Sequence, residues 1–409
     1  MNLRVPCTPL ITVDPYFSLW SPADELNEEA TVHWTGSPNT LNGFVYVDGE
    51  EYRFMGEGEG KIISQEYKDV SALVTDYLFT CDKIVLSLSF FTPLFTDDLY
   101  RLSRPVSYLR IRYDSADGEK HEVRVKLSAS EEFCIDKKGE EEVTAQIIKT
   151  PGGLDGAKIG SRAQKMLTRC GDDLRIEWGY FYLIADNAAM SVEQADGMTF
   201  VSAEIPLEDE KDSFVLFAYD DIKCLEYFGE QLDAYWKTKG LTVLEAADEA
   251  YGEADEILCL CREKSEKLFD DADAAGGEKY AELLCLAYRQ VIAAHKPAVD
   301  PDGEIIFISK ECFSNGCAAT VDVTYPSSPM FLLYNTELLK GMLRPIFRFT
   351  KSDEWEFDFA PHDAGTYPLL NGQKYGKGGK RYTYREAQMP VEECGNMLVM
   401  CANISMLDG

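Results

Sequence analysis

The hydrophobic pattern of the chain changes its period near residue 221, and this change constrains the fold more than any other feature. Before it, short runs rich in β-branched and aromatic residues alternate apolar with polar positions, as half-buried strands do. The clearest runs are residues 83–93, 106–113, 122–129, 174–184 and 213–219. Turn signals separate these runs, and no helical segment lies between them. Residues 1–221 are therefore predicted to form an antiparallel β-sandwich domain.

After residue 221 the apolar residues recur at helical spacing. Within residues 278–296, a stripe at i, i+4 and i+7 predicts an amphipathic helix whose apolar face contains Tyr280, Leu284, Ala287, Val291 and Ala294. Glycines divide the region into separate helices. A chain of 409 residues also exceeds the usual size of a single core. The pattern predicts a linker helix at 222–241 and an all-α domain over 242–409.

Net charge and cysteine content limit the kinds of partner that the protein can bind and indicate the cellular compartment in which it is expected. The chain has 71 acidic and 40 basic residues, and its formal net charge of −31 would repel a nucleic acid backbone. Pro6, Pro9 and Asp14 interrupt the N-terminal apolar positions, so no signal peptide is predicted, and no run is long enough to cross a bilayer. The twelve cysteines include no C-x-x-C pair. Reduced thiols in a cytoplasmic protein are the expectation.

Polar groups able to transfer protons are concentrated between residues 359 and 400. Asp363 follows His362 in a loop bounded by proline and glycine, and Glu392 and Glu393 fall in the first turn of a helix that a proline opens. Each of these carboxyl groups also has a purely structural explanation. Acidic residues at a helix N-terminus stabilise it by roughly 0.3–1 kcal/mol, and loop aspartates cap nearby amides. Together the carboxyl groups suit hydrolysis, in which one donates a proton and another activates water or attacks.

A second polar run, residues 309–329, contains Glu311, Asp322 and Tyr325. Asp322 lies between two valines, so a partly buried structural aspartate is the competing interpretation. Tyr325, Tyr367 and Tyr375 could form a stacking wall for a substrate, although tyrosines are abundant in this chain. The candidate substrate-binding residues are Glu311, Asp322, Tyr325, His362, Tyr367 and Asn371.

Signatures of other chemistries are weaker. The chain has no G-x-S-x-G and no S-x-x-K motif. A thiol–imidazole pair of His362 with Cys312 or Cys394 has no support from spacing. The segment GKGGKR (376–381) is interpreted as a flexible surface loop rather than a phosphate-binding loop, since no strand precedes it. No cofactor and no histidine-based metal site are predicted, while a structural calcium bound by carboxylates alone stays open.

Several longer strings carry a resemblance to a known family. They are DPYFSLWS (14–21), HWTG (33–36), VDGEEYRFMG (47–56), AYRQVIAAHK (287–296), SKECFSNGC (309–317), TVDVTYPS (320–327), FAPHDAGTYPLLNGQ (359–373) and MPVEECGNM (389–397). In these strings the chain resembles the glutaminase A family of bacteria and fungi. The resemblance implies a β-sandwich followed by an (α/α)6 toroid of the six-hairpin glycosidase type. It also implies Asp363 as the acid, with Glu392 or Glu393 as the base or its neighbour.

The resemblance implies a hydrolase that releases ammonia from L-glutamine. The acidic and aromatic residues fit sugar chemistry at least as well, because fold does not settle function. The alternatives are a glycoside hydrolase acting on oligosaccharides through an Asp/Glu pair, and an inactive fragment or carbohydrate-binding module. A complete toroid needs roughly twice the helices that residues 242–409 supply, so only its N-terminal half is expected here. A small-molecule or carbohydrate partner is expected, no membrane is, and the oligomeric state stays open.

Overall fold

A computed structural model describes residues 3–373 and 388–408. The N-terminal strands are β1 (Thr8–Thr12), β2 (Ser18–Ser21), β3 (Leu41–Val47), β4 (Glu50–Met55), β5 (Ser64–Val70), β6 (Val74–Thr80), β7 (Ile84–Phe91), β8 (Val106–Ser115), β9 (Val123–Ser130), β10 (Val143–Lys149), β11 (Asp155–Ser161), β12 (Tyr180–Ala185), β13 (Ala189–Ala195), β14 (Met198–Leu207) and β15 (Ser213–Asp220). One short helix, α1 (Leu99–Ser103), lies among them. The strand-rich region predicted from the alternating pattern is therefore present.

Two antiparallel sheets form the N-terminal sandwich. The larger has the strand order β10-β11-β12-β15-β8-β7-β6-β5, and the smaller has the order β13-β14-β9-β3-β4. In the β7–β8 pair, Leu88 is opposite Ile111, and both residues are buried. The adjacent pair, Ser87 opposite Arg112, is partly exposed. The sheets meet through apolar side chains such as Phe54 of β4, whose ring centroid lies 6.0 Å from that of Phe79 in β6. This packing confirms the predicted β-sandwich.

The linker helix predicted at 222–241 is wrong. This segment forms a hairpin of β16 (Leu225–Tyr227) and β17 (Glu230–Leu232), followed by a 3-10 turn at Tyr235–Lys239. Phe228 and Gly229 have φ values of 49° and 91°, which an α-helix does not accommodate. The apolar residues of this segment are buried without a helix: Tyr227 and Trp236 are almost completely buried, and Tyr227 pairs with Leu370 in a parallel strand pair.

Helices dominate the chain after residue 242, as predicted. They are α2 (Val243–Gly252), α3 (Ala254–Gly276), α4 (Glu278–Ala293), α5 (Val321–Tyr334), α6 (Thr336–Thr350) and α7 (Pro390–Asp408). A capping box between Thr242 and Glu245 starts α2. Gly277, with φ of 83°, separates α3 from α4. None of the described helices is both long enough and apolar enough to cross a membrane.

Helix α4 buries a different face from the predicted one. Its buried residues are Ala281, Glu282, Cys285, Tyr288, Arg289, Ile292 and Ala293. The buried face lies one to two residues after the predicted stripe and includes Arg289, which is almost completely buried. Its Nε donates to Thr12 Oγ1 at 3.0 Å, and its Nη1 donates to Thr75 Oγ1 at 2.9 Å. Helix α4 therefore packs on the sandwich through the guanidinium of Arg289, a residue that hydropathy alone predicts to be exposed.

Short strands inside the helical region position the loops of the candidate site. They are β18 (His295–Val299), β19 (Ile305–Ser309), β20 (Cys317–Ala318), β21 (Gly365–Thr366) and β22 (Leu369–Leu370). β18 pairs with β19, while β20, β21 and β22 join the 225–232 hairpin in a mixed sheet of order β17-β16-β22-β21-β20. This sheet connects the end of the sandwich region to the loops that precede α5 and α7.

Candidate active site

The start of α5, the start of α7 and the loop before β21 converge around His362. β20 and β21 pair through Cys317 with Thr366 and Ala318 with Gly365. The backbone N–H of Val321, at the start of α5, donates to the carbonyl of His362 at 2.8 Å. These backbone bonds place the first turn of α5, with Asp322, beside the His362 loop.

His362 lies between two carboxylates. Its Nδ1 lies 2.9 Å from Asp363 Oδ2, and its Nε2 lies 3.5 Å from Asp322 Oδ1. Burial by itself would lower the pKa of His362. The hydrogen bond and charge of Asp363, with the charges of Asp322 and Glu393, outweigh burial and raise the pKa to about 9. The imidazole is therefore protonated at neutral pH.

Asp363 is completely buried, with 0% exposure. Its Oδ1 accepts a hydrogen bond from the backbone N–H of Gly365 at 2.9 Å, and its Oδ2 contacts His362. Cys317 lies against the same carboxylate. Burial, followed by the charge of Asp363, raises the pKa of the Cys317 thiol well above its ordinary value. Both oxygens of Asp363 are thus engaged, and the neighbouring thiol stays protonated.

Glu393 has the most unusual environment in the cluster. Its side chain is 0% exposed, and neither carboxyl oxygen has a hydrogen-bond partner among the described residues. Burial, followed by the charge of Asp322, raises the pKa of Glu393 to about 7, while the charge of His362 and the side chain of Asn396 oppose the shift. A carboxyl group that is half protonated near neutral pH can both donate and accept a proton.

Glu392 and Glu393 have separate environments despite being adjacent. Glu392 is exposed, while Glu393 points to the buried side of α7 with Met397 and Met400. These three buried residues follow the i, i+4, i+7 spacing of one helix face. That stripe is the sequence signal that distinguishes the two glutamates.

The other predicted substrate-binding residues are divided between the cluster and the rest of the fold. Glu311 is half-buried, its charge acts on Cys317, and its Oε2 has no hydrogen-bond partner among the described residues. Tyr325 is 40% exposed, one turn along α5 from Asp322. Tyr375 and the segment 376–381 lie outside the described residues. Of the predicted substrate-binding residues in the 309–329 run, Glu311 and Asp322 therefore reach the cluster.

Tyr367 and Asn371 lie in structural positions. Tyr367 is 1% exposed, and its ring centroid lies 5.2 Å from that of Tyr16 in the core. Asn371 donates through Nδ2 to Glu226 Oε1 at 2.5 Å and accepts from the Gly229 N–H at 2.8 Å. These contacts hold the turn of the 225–232 hairpin. The structure therefore does not bring either side chain to the His362 cluster.

Sequence reasoning missed Cys317. The chain gives no local sign that this cysteine faces Asp363, because the contact depends on the pairing of β20 with β21. Two groups of three side chains have donor atoms within 4.8 Å of one another: Cys317, His362 and Asp363, and Asp322, His362 and Glu393. Both groups share His362. A cation would compete with a proton for this imidazole, because the carboxylates that raise the pKa of His362 attract either one.

Comparison with known proteins gives matches along most of the chain. Residues 277–409 match the family model described as the glutaminase A six helical-hairpin domain. Residues 1–64 and 74–205 match two models described as domains of unknown function. Glutaminase A of Aspergillus oryzae is 27% identical over 97% of this chain and 62% of that protein. A probable glutaminase of Arthroderma benhamiae is 25% identical over 97% of this chain and 52% of that protein. The chain thus spans between half and two thirds of the length of these relatives.

Solved structures are more distant. A protein described as a kojibiose phosphorylase from the human microbiome is 12% identical, with a TM-score of 0.48 over 91% of this chain and 54% of that one. An inverting mannosidase of family GH92 from Bacteroides thetaiotaomicron is 10% identical, with a TM-score of 0.44 over 87% of this chain and 47% of that one.

Proposed function

We propose that this chain, which belongs to the glutaminase A family, is a hydrolase that converts L-glutamine to glutamate and ammonia. The substrate is taken from the names of the two relatives. The single structural observation that supports hydrolysis is the carboxyl group of Glu393, which is buried, has no hydrogen-bond partner among the described residues and has a pKa near 7. For the helical part we propose the (α/α)6 toroid that the description of its family model suggests, with the described helices as its N-terminal half.

Amide hydrolysis needs two proton transfers, and the cluster offers a group for each. Water attacks the side-chain carbonyl carbon of glutamine, and the carboxylate of Asp322 accepts a proton from that water. Protonated Glu393 donates its proton to the departing nitrogen as the C–N bond breaks, which releases ammonia. A proton from Asp322 or solvent then restores Glu393.

In this proposal Asp363 is a positioning residue rather than the acid that the sequence resemblance implied. Its oxygens are occupied by Gly365 and His362, and its side chain is completely buried. The negative charge of Asp363 keeps His362 protonated, and the imidazolium fixes the position of Asp322. Glu392 is too exposed to share the environment of Glu393 and has no role in the steps above.

A glycoside hydrolase acting on oligosaccharides is the second candidate. The observation that favours it is the juxtaposition of a carboxyl with a raised pKa, Glu393, and a second carboxyl, Asp322, whose oxygens lie within 4.8 Å of each other. Glycoside hydrolysis uses such a pair, one as the acid and the other as nucleophile or base. An inactive or carbohydrate-binding protein is the third candidate.

The experiment supplies the purified protein separately with L-glutamine and with p-nitrophenyl glycosides. Ammonia and p-nitrophenol are measured, with Glu393→Gln as the test variant and Glu392→Gln as its matched control. We expect ammonia from glutamine, loss of turnover in Glu393→Gln and near-normal rates in Glu392→Gln. Release of p-nitrophenol without ammonia would replace the glutaminase proposal by the glycosidase. If neither substrate is turned over, both hydrolase proposals fail, and the inactive or carbohydrate-binding protein is the remaining candidate.

A further inference from the structure

A separate cavity of about 450 Å³ lies between the N-terminal strands and the end of α4. Its walls include Trp20 and Trp34 on one side, Ala294 after α4, and Phe313 in the loop between β19 and β20. The residues of the His362 cluster do not line it. Its volume falls within the range of small-molecule sites, roughly 300–1,000 Å³. The cavity is therefore a candidate for a second binding site.

Phe313 has an unusual position at the cavity. Its side chain is 76% exposed, and its backbone has a φ of 59°. Both features are unfavourable for an aromatic residue, and strained backbone of this kind is concentrated at ligand sites. Its ring packs edge-to-face on Trp34, with a centroid distance of 5.2 Å and an interplanar angle of 85°. The indole of Trp34 is fixed by a 2.7 Å hydrogen bond from its Nε1 to the carbonyl of Pro15.

The cavity is uncharged in a strongly acidic protein. Among the described residues that line it, none is Asp, Glu, Lys or Arg, although the chain has a formal net charge of −31. His33 is neutral, because burial lowers its pKa to about 3. Its ring nitrogens already contact Pro15 O and Thr35 Oγ1, each at 3.1 Å. The polar side-chain groups left in the lining are few: Gln290, and Ser18 Oγ and Trp20 Nε1, which have no hydrogen-bond partner among the described residues. A charged or polyhydroxylated ligand would therefore exchange many hydrogen bonds to water for few to the protein, whereas a ligand with a single polar group would lose little.

We propose that this cavity binds an uncharged aromatic small molecule whose ring packs against Trp34 and Phe313. Aromatic rings favour edge-to-face and offset contacts with such side chains. Free glutamine, which carries two charges, does not suit the lining. The site is therefore distinct from the proposed hydrolytic site, although the short segment 312–317 contributes Cys312 and Phe313 to the cavity and Cys317, in β20, to the His362 cluster.

The test uses indole as the probe, with binding followed by isothermal titration calorimetry. We expect saturable binding at one site per chain. Phe313→Ala should weaken it at least fivefold, and Ala294→Leu, which places a larger side chain at the cavity wall, should weaken it at least tenfold. Tyr67→Ala removes an exposed aromatic residue from β5, outside the cavity, and should leave binding unchanged. Circular dichroism of each variant checks that it is folded.

Two further probes define the ligand class. Indole-3-acetate has the same ring with a negative charge, and methyl α-D-glucopyranoside is an uncharged sugar ring. Both should bind at least tenfold more weakly than indole. The proposal is overturned by absence of saturable indole binding to the folded wild type, by equal binding to folded Phe313→Ala and Ala294→Leu, or by binding of either second probe at least as tight as that of indole.

Discussion

Lys296 Nζ lies 2.6 Å from Asp14 Oδ2, which joins two residues 282 positions apart in the sequence. Asp221 Oδ2 lies 2.7 Å from the same nitrogen, and all three side chains are at most 9% exposed. The aspartates come from the segment before β2 and from the end of the sandwich, while Lys296 lies in β18. One buried ammonium therefore connects the sandwich with the loops that carry the candidate site.

Replacing Lys296 by Met should strongly destabilise the fold. The substitution leaves two buried carboxylates without their cation, and breaking a buried pair in this way costs about 3–5 kcal/mol. Urea unfolding measures the change. Lys149→Met removes an exposed pair with Asp155 and should cost less than about 1 kcal/mol. Equal urea concentrations at the unfolding midpoints of the two variants would contradict a structural role for Lys296.

Glu393→Gln should abolish turnover but stabilise the protein at alkaline pH. Removal of a general acid lowers the rate by roughly 10²–10⁴-fold. Because the pKa of Glu393 is raised from 4.5 to about 7 in the fold, the wild type should lose stability as the pH rises through this interval. The amide side chain of the variant does not titrate, so the stability of the variant should not fall over this pH interval.

Thermal unfolding at pH 5 and pH 8 measures this difference. Glu392→Gln, on the exposed side of the same turn, should retain the wild-type pH dependence. Wild-type turnover should also fall as the pH rises through about 7, because Glu393 loses the proton that it donates. An unchanged pH dependence of stability in Glu393→Gln would show that its carboxyl group is not the one with the raised pKa.

Asp363→Asn should lower the pKa of His362 from about 9 toward the ordinary value of about 6.5. The variant loses the charge that holds the proton on the imidazole. An NMR titration of the histidine rings measures the pKa, and turnover should be lost together with the shift. His121, which pairs with Asp48 and Asp117 in the sandwich, is the internal reference and should not change. Lost turnover without a shift of His362 would argue against a positioning role.

Asn371→Ala should destabilise the fold without changing the KM for glutamine. The side chain contacts Glu226 and Gly229 rather than the candidate site, and the lost hydrogen bonds correspond to about 1–3 kcal/mol. Urea unfolding and steady-state kinetics measure the two effects. Glu226→Ala should also lower the free energy of unfolding. The double variant should lose less stability than the sum of the losses in the two single variants, because the two side chains share one hydrogen bond. A raised KM with unchanged stability would restore Asn371 as a substrate-binding residue.

The candidate site was partly predictable because its polar residues are dense in two stretches of sequence. His362, Asp363, Asp322 and Glu393 all lie in those stretches, and the structure brings them together. The roles were harder to assign. The hydrogen bonds of Asp363 to the adjacent His362 and to the Gly365 N–H are local, as expected for an aspartate that caps a nearby amide in a loop. Its complete burial depends on tertiary packing, which no local pattern encodes. A cytoplasmic location, a small-molecule or carbohydrate partner and the absence of a cofactor stay predictions.

The sequence by itself determined that a strand-rich region is followed by a helical one, because alternation, helical spacing and turn residues are local properties of the backbone. It also placed Glu392 and Glu393 in the first turn of a helix. Only the tertiary structure decided that Glu393 is buried, that residues 225–232 form a hairpin rather than a helix, and that Lys296 lies between Asp14 and Asp221. The reason is physical: desolvation and ion pairing depend on contacts between residues far apart in the chain, whereas periodicity depends on neighbours.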